Sequence, residues 1–311
     1  MISTTLPRNS VTVPDLIAAI SPFAVGRRDR SGGAANEDVV ASALILTARA
    51  AISGVDDADV QALLRWIDDE PVPGTASVWG TGRWATPSLA AFVNGSAARV
   101  SVRPDGQSVH PGIVLIPALV ARASVAPTDL RTVVEAFNVG RAVLAAVTEA
   151  LAVPDARPPW NRPPLAGRLA ATAAVARVAG LDEEQACCAL ATAATWGTAS
   201  AADRASMVHA LDAGLAARDA IISVSLAEHG FSGPGAPEPH AGEGEHRGHL
   251  AVRLRHWERA WADDLRHISA AGTDDAGGSA DSAHDSAAMH SWEIGRTVRS
   301  GDLTQLQEVL A

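Results

Sequence analysis

From Glu37 to Gly230 the apolar residues recur at intervals of three and four, segment after segment. That spacing lines one face of an α-helix and fits no half-buried strand, where apolar residues would alternate. "DLIAAISPF" is a short amphipathic start, and a strongly apolar helix follows from about Glu37. "VDDADVQALLRWIDDE" carries its acidic residues in the first turn, as the helix dipole favours. "TPSLAAFVNG" reads as a short helix stopped at Asn94-Gly95. "GIVLIPALVARAS" is apolar throughout and is expected to be buried. Pro127 and Thr128 signal the start of "DLRTVVEAFNVGRAVLAAVTEAL". "PLAGRLAATAAVARVAG" stops at Gly180, and Asp182 caps "EEQACCALATAATWG". "DRASMVHALDAGLAARDAIISVSLAEHG" is another long helix. One weak strand candidate, "AARVSVR", stands against these, so the expected fold class is all-α. The Ala-rich helices should pack closely, with eight Trp filling the wider gaps as packing residues.

After Gly230 the character changes. "FSGPGAPEPHAGEGEHRGH" is a Pro/Gly loop, "LAVRLRHWERAWADDLRH" an amphipathic helix, and "AAGTDDAGGSADSAHDSAA" a low-complexity stretch of the kind that stays disordered. The expected organisation is a helical domain over 1–235, a loop and amphipathic helix over 236–270, a linker over 271–288, and C-terminal helices over 289–311. A chain of 311 residues that is 47% hydrophobic can bury a substantial core. Its net charge of −10 gives no electrostatic reason to bind nucleic acid or anionic lipid. No apolar run reaches the ~18 residues of a membrane span, and "MISTTLPRNSVTVPD" lacks a signal-peptide layout. The expectation is a soluble, cytoplasmic protein.

Two absences narrow the chemistry. All 25 basic residues are Arg, with no Lys, which excludes Schiff-base chemistry, pyridoxal phosphate attachment and a Walker-A loop. Tyr is absent too, so no phenol serves as acid or base. The adjacent Cys187 and Cys188 cannot bridge without distortion and read as small buried apolar residues. Eight of the ten histidines lie from His229 onward. His246, His249 and His256 approach metal-ligand spacing, but with no Cys or paired acidic motif beside them a solvated loop entering a helix is the better reading. No metal and no cofactor is expected.

The pattern "WGTGRWATPSLAAFVNGSAA…HPG…GLDEEQACCALATAA…DAGLAARDAIISVSLAEHGFSGP" resembles the MmgE/PrpD family from about residue 12 to 235. That family includes 2-methylcitrate dehydratases, cis-aconitate decarboxylases and related lyases and epimerases. The resemblance implies a large helical domain, a smaller α/β domain inserted before C-terminal helices, an active site between the two, and a homodimer. Here the α/β domain is expected to be largely missing, because fewer than 80 residues follow Gly235.

Carried over residue by residue, the resemblance implies a rewritten site. After Asn-Gly the family has an Asp-Phe-Asp-Asp stretch and then His-Pro. This chain has Val102, Arg103, Pro104 and Asp105, and keeps His110. A second family His falls on Asn161, between Trp160 and Arg162. The family's Lys-x-x-His falls on His209 and Asp212. Eliminating water or CO2 from a citrate-like acid needs cations on several carboxylates and a base at carbon. A neutral imidazole at His209 grips a di- or trianion poorly, leaving Arg103 and Arg162 to compensate. Plainer readings stand beside these: His110 as a helix-start residue before Pro111, Asp105 as a turn residue in "PDGQ", and His209 with Asp212 as a local pair.

The expected function is therefore lyase- or isomerase-type acid/base chemistry at carbon on a larger, less anionic small molecule, in specialised metabolism. His110, His209 and Asp105 would be catalytic; Trp160, Asn161, Arg162, Asp212 and Arg103 would bind substrate. A non-catalytic dimeric scaffold is the alternative, and a retained 2-methylcitrate-type dehydratase a further one.

Overall fold

A computed structural model describes residues 11–26, 33–69, 72–101, 111–126, 128–151, 162–196, 207–232, 247–259, 296–297 and 303–311. The expected linker over 271–288 lies outside them. Among the described residues the chain is all-α apart from one small hairpin, as the apolar spacing implies. The helices are α1 (Val13–Val25), α2 (Gly33–Gly54), α3 (Ala58–Asp69), α4 (Pro87–Ser101), α5 (Pro111–Ala123), α6 (Leu130–Leu151), α7 (Arg162–Ala179), α8 (Glu183–Thr195), α9 (Met207–Glu228), α10 (247–259) and α11 (Leu303–Leu310). No single helix among them is long and apolar enough to cross a membrane.

Local chemistry sets most boundaries. Asp182 caps α8 as expected: its carboxylate accepts from the Gln185 amide at 2.8 Å, and Gln185 returns a bond to the Asp182 amide. Gly180 ends α7 with φ 67°, a conformation that glycine adopts at no steric cost. α6 begins one step later than the Pro127-Thr128 signal implies. Its cap is Asp129, whose carboxylate accepts from the Thr132 amide at 2.7 Å.

Those bonds from Thr132 hold the Asp129 carboxyl below the ordinary carboxylate range. The folded state therefore binds the proton less readily than the unfolded chain. The cap's contribution is complete above the unfolded value of about 3.9 and is lost as pH falls through the folded value. Asp129→Ala should cost about 0.5–2 kcal/mol at neutral pH. In urea titrations the difference from the parent should vanish in strong acid.

Two sequence expectations fail together around Asn94-Gly95. α4 does not stop there; it continues to Ser101, so 97–101 of the strand candidate "AARVSVR" is helical. Asn-Gly ends a helix when its side chains have nothing better to do. Here Asn94 is buried and bonded to the chain before α4: its Oδ1 accepts from the Trp79 amide at 3.0 Å and its Nδ2 donates to the Ser77 carbonyl at 3.0 Å. The strands lie in that earlier stretch instead. β1 (Ala76–Val78) pairs antiparallel with β2 (Arg83–Ala85), with Gly80 and Gly82 at positive φ in the turn.

α11 seals this hairpin. Gln307 is buried; its Oε1 accepts from the Ser77 amide and hydroxyl, both at 2.9 Å, and its Nε2 donates to the Val120 carbonyl at 2.7 Å. The Gly80 and Gly82 amides donate to the Leu310 and Ala311 carbonyls. α10 lays Leu250 and Leu254 inward and reaches α6 and α1 through Trp257 to Glu149 and Arg247 to Asp15.

The expected burial of "GIVLIPALVARAS" holds, since every residue from Gly112 to Ala123 is buried. The tryptophans correct the expectation that they fill interior gaps. Among the five described, Trp79 alone is fully buried, while Trp66, Trp84 and Trp196 are exposed. The small residues do most of the filling: alanines dominate the buried faces of α7, α8 and α9. Small side chains let these backbones approach, which leaves no room for an indole.

Candidate functional site

The helix directions can be traced from side-chain partners. α4 and α9 run antiparallel. Gly95 meets Gly214, and Arg218 lies 5.5 Å from the Phe92 ring centroid further in. α6 and α7 are antiparallel as well, with Gly140 against Ala174 and Arg177 bonded to Glu135 at 2.8 Å. α5 and α9 run the same way, because Gly167 bridges Val114 and Ala216 near their starts and Arg122 meets Glu228 near their ends. α7 runs the same way as α9, since Gly167 faces Ala216 and Arg168 meets Asp219. α8 starts from the far end of α7 and lies beside the end of α9, where Cys188 donates to the Phe231 carbonyl.

These pairings have one result. α4, α6 and α8 finish, and α5, α7 and α9 begin, at the same end of the bundle. Segments 102–110, 152–161 and 197–206 connect helices whose ends converge there.

The sequence-based candidates relate to that end as follows. Arg103, Asp105 and His110 belong to 102–110, and Trp160 and Asn161 to 152–161; all five lie outside the described residues, as does Val102. Arg162 is the first residue of α7, and His209 lies in the first turn of α9; their side chains are outside the description. Asp212, one turn along from His209, is described and half-buried.

Sequence reasoning missed Arg99. It is half-buried in the last turn of α4, where burial lowers its pKa and the Asp212 carboxylate pulls the other way. On α4 the positions turned to α9 are Phe92, Gly95, Ser96 and Arg99, a spacing of three, four and seven that marks one helix face. That periodicity was the available signal.

A second missed group lies deeper between α7 and α9. Asp219 is fully buried and accepts from Arg168 Nε at 2.7 Å on one oxygen, and from Arg218 Nη2 at 2.8 Å and Nε at 3.0 Å on the other. The Arg168 side chain is 4% exposed. Two guanidiniums thus converge on one buried carboxylate, and each of its oxygens accepts a charge-assisted hydrogen bond.

The cysteines match the plain reading. Both are buried thiols outside any disulfide, and burial pushes the Cys187 thiol up, which makes it a poor nucleophile. His249 and His256 are exposed on α10. Among the described residues no three His, Cys, Asp or Glu side chains come together as a metal site. A hollow of about 200 Å3 lies at the opposite end of α5 from Pro111, lined by Thr75, Trp84, Val125 and Gln307 among others, and is separate from the converging helix ends.

An all-α bundle of this kind fits the helical domain of a dehydratase-like enzyme family. The MmgE/PrpD N-terminal domain matches residues 37–248, and the chain belongs to the MmgE/PrpD family. The match begins at the apolar part of α2 and extends past the resemblance seen in the sequence, into the start of α10. No curated protein matches the chain.

Proposed function

We propose that the chain is a lyase- or isomerase-type enzyme performing acid/base chemistry at carbon on a small molecule larger and less anionic than a tricarboxylate, in specialised metabolism. In the proposed reaction a base takes a proton from carbon and an acid protonates the leaving or receiving group. His110 is the proposed acid or base, with His209 or Asp105 as its partner. Trp160, Asn161, Arg162, Asp212 and Arg103 are the proposed substrate contacts. A homodimer in the cytoplasm is the proposed working form.

One observation carries this reading: the ends of α4, α5, α6, α7 and α9 converge, and every proposed residue lies on those ends or on the segments joining them. Supporting it, a chain without Lys has lost the cation best suited to gripping several carboxylates as point charges. The reduced charge argues for a substrate with fewer anionic groups, and proton transfer at carbon needs little beyond one imidazole and good positioning.

The test is solvent exchange. The protein is incubated in D2O with 2-methylcitrate, cis-aconitate and a series of singly charged 3-hydroxy acids, and deuterium at carbon is followed by mass spectrometry. Label should enter a singly charged acid and not 2-methylcitrate. His110→Ala should lower its rate by about 10^2–10^4-fold while helical content and thermal midpoint stay nearly unchanged. No label in any acid favours the inert dimeric scaffold. Label in 2-methylcitrate instead favours a retained dehydratase. Full activity in His110→Ala rules that residue out as the acid or base.

A further inference from the structure

The hollow beside α11 is walled by three elements that are bonded to one another. Thr75 precedes β1 and Ser77 lies within it, two residues apart and so on one face of the hairpin. Trp84 is the cross-strand partner of Ser77 and shares that face. The face turns to α11, because the Ser77 hydroxyl donates to Gln307 Oε1 at 2.9 Å. Gln307 also donates to the Val120 carbonyl of α5 at 2.7 Å, and Thr75 Oγ1 lies 3.2 Å from Ser124 Oγ just beyond α5. The hollow of about 200 Å3 opens between hairpin, α5 and α11, with Trp84 and Glu308 both in its wall. Groups held this way keep their positions better than groups on a free loop.

The wall offers acceptors and an aromatic face. Ser124 Oγ donates to the Ala121 carbonyl at 2.8 Å, so it accepts the Thr75 proton and leaves the Thr75 lone pairs open. Glu308 is exposed and pairs with no cation among the described residues. Trp84 is 45% exposed, and no other ring or guanidinium among the described residues covers its indole. No Arg or His among the described residues lines the hollow, and Ala123, Val125 and Ala126 form its apolar part. An indole face attracts a cation through its quadrupole. A carboxylate in the same wall adds a charge-assisted hydrogen bond. A cavity of about 150 Å3 holds a benzene ring, so this one has room for a ring with a short ammonium arm. We propose that the hollow is a binding site for a small primary amine in its ammonium form. Glu308, Thr75 and the Trp84 ring hold the ammonium, and the alanines and Val125 take the apolar body. The site is separate from the converging helix ends and is independent of the reaction proposed there.

The test is a comparison of ligands that differ in charge alone. The full chain is titrated at neutral pH by ligand-observed NMR with benzylamine, with benzyl alcohol as its neutral counterpart, and with benzoate. Benzylamine should bind saturably with a Kd of about 1 mM or lower, about tenfold tighter than the alcohol. Benzoate should bind more weakly than either. Glu308→Gln should weaken benzylamine by about tenfold and leave the alcohol within about twofold. Trp84→Leu should weaken benzylamine by about threefold. Both side chains reach solvent, so the variants should keep the parent's thermal midpoint. The ligand series and Glu308→Gln decide the matter even if Trp84→Leu folds poorly. No saturable binding of benzylamine, equal affinity for amine and alcohol, or tighter binding of benzoate would each overturn the proposal. Unchanged benzylamine binding in Glu308→Gln, or in a folded Trp84→Leu, would do the same.

Discussion

Replacing Asp219 with Ala should destabilise the protein by about 3–5 kcal/mol, read as a lowered urea midpoint. The reason is the charge left behind. Arg168 is buried, and its Nη1 has no partner among the described residues even with Asp219 present. Without the carboxylate the guanidinium stays inside an apolar interface with nothing to offset its desolvation. Arg218 suffers less, because a third of its side chain reaches solvent. The paired change Arg168→Met with Asp219→Leu removes both buried charges and keeps similar volume. It should recover most of the loss, since a buried ion pair gains little over a well-packed apolar pair. A cost below about 1 kcal/mol for Asp219→Ala would mean that water reaches the cluster.

The second large effect is expected at Gly214. In an exposed helix, Gly→Ala gains about 1 kcal/mol. Gly214→Ala should instead cost about 1–3 kcal/mol, because its Cβ would lie 2.1 Å from the Phe92 carbonyl oxygen and 2.3 Å from Ser96 Oγ. A backbone atom cannot rotate aside, so α4 and α9 must separate. Gly248→Ala is the control: it sits in α10 with open space around it and should stabilise slightly. Equal stability in the two alanine variants would show that the seam is looser than its glycines imply.

What the sequence revealed follows from which interactions are local. Apolar spacing of three and four is a property of one helix, so the helical class and the burial of α5 were legible. The Asp182 box spans four residues and was legible too. Asn94 was misread because its partners, Ser77 and Trp79, lie outside α4, and nothing within "AFVNGS" distinguishes a helix stop from a tether. Gly95 read as part of a helix stop and is instead a contact point with Gly214. The hairpin was overlooked because its strands are only three residues each, although Gly80 and Gly82 flanked by "ASV" and "RWA" offered a turn signal.

The candidate site divides along the same line. Its histidines were found through a family pattern that is sequential. Arg99, Arg168 and Asp219 act through partners on other helices, and their one local sign is a charged residue on an otherwise apolar face. "LAGRLAAT" and "AARDAIIS" both carry that sign. A lone charge amid alanines points to a buried pair.

The attachment of α11 has a consequence for how this molecule is made. The Ser77 amide is satisfied by Gln307, 230 residues later. While the polypeptide emerges from the ribosome, the turn around Gly80 and Gly82 must wait with open backbone donors until α11 has been made. Loop-closure entropy over that distance makes the docking a late event. Until then the hairpin is an open edge of the nascent protein, and α11 is the element that closes it.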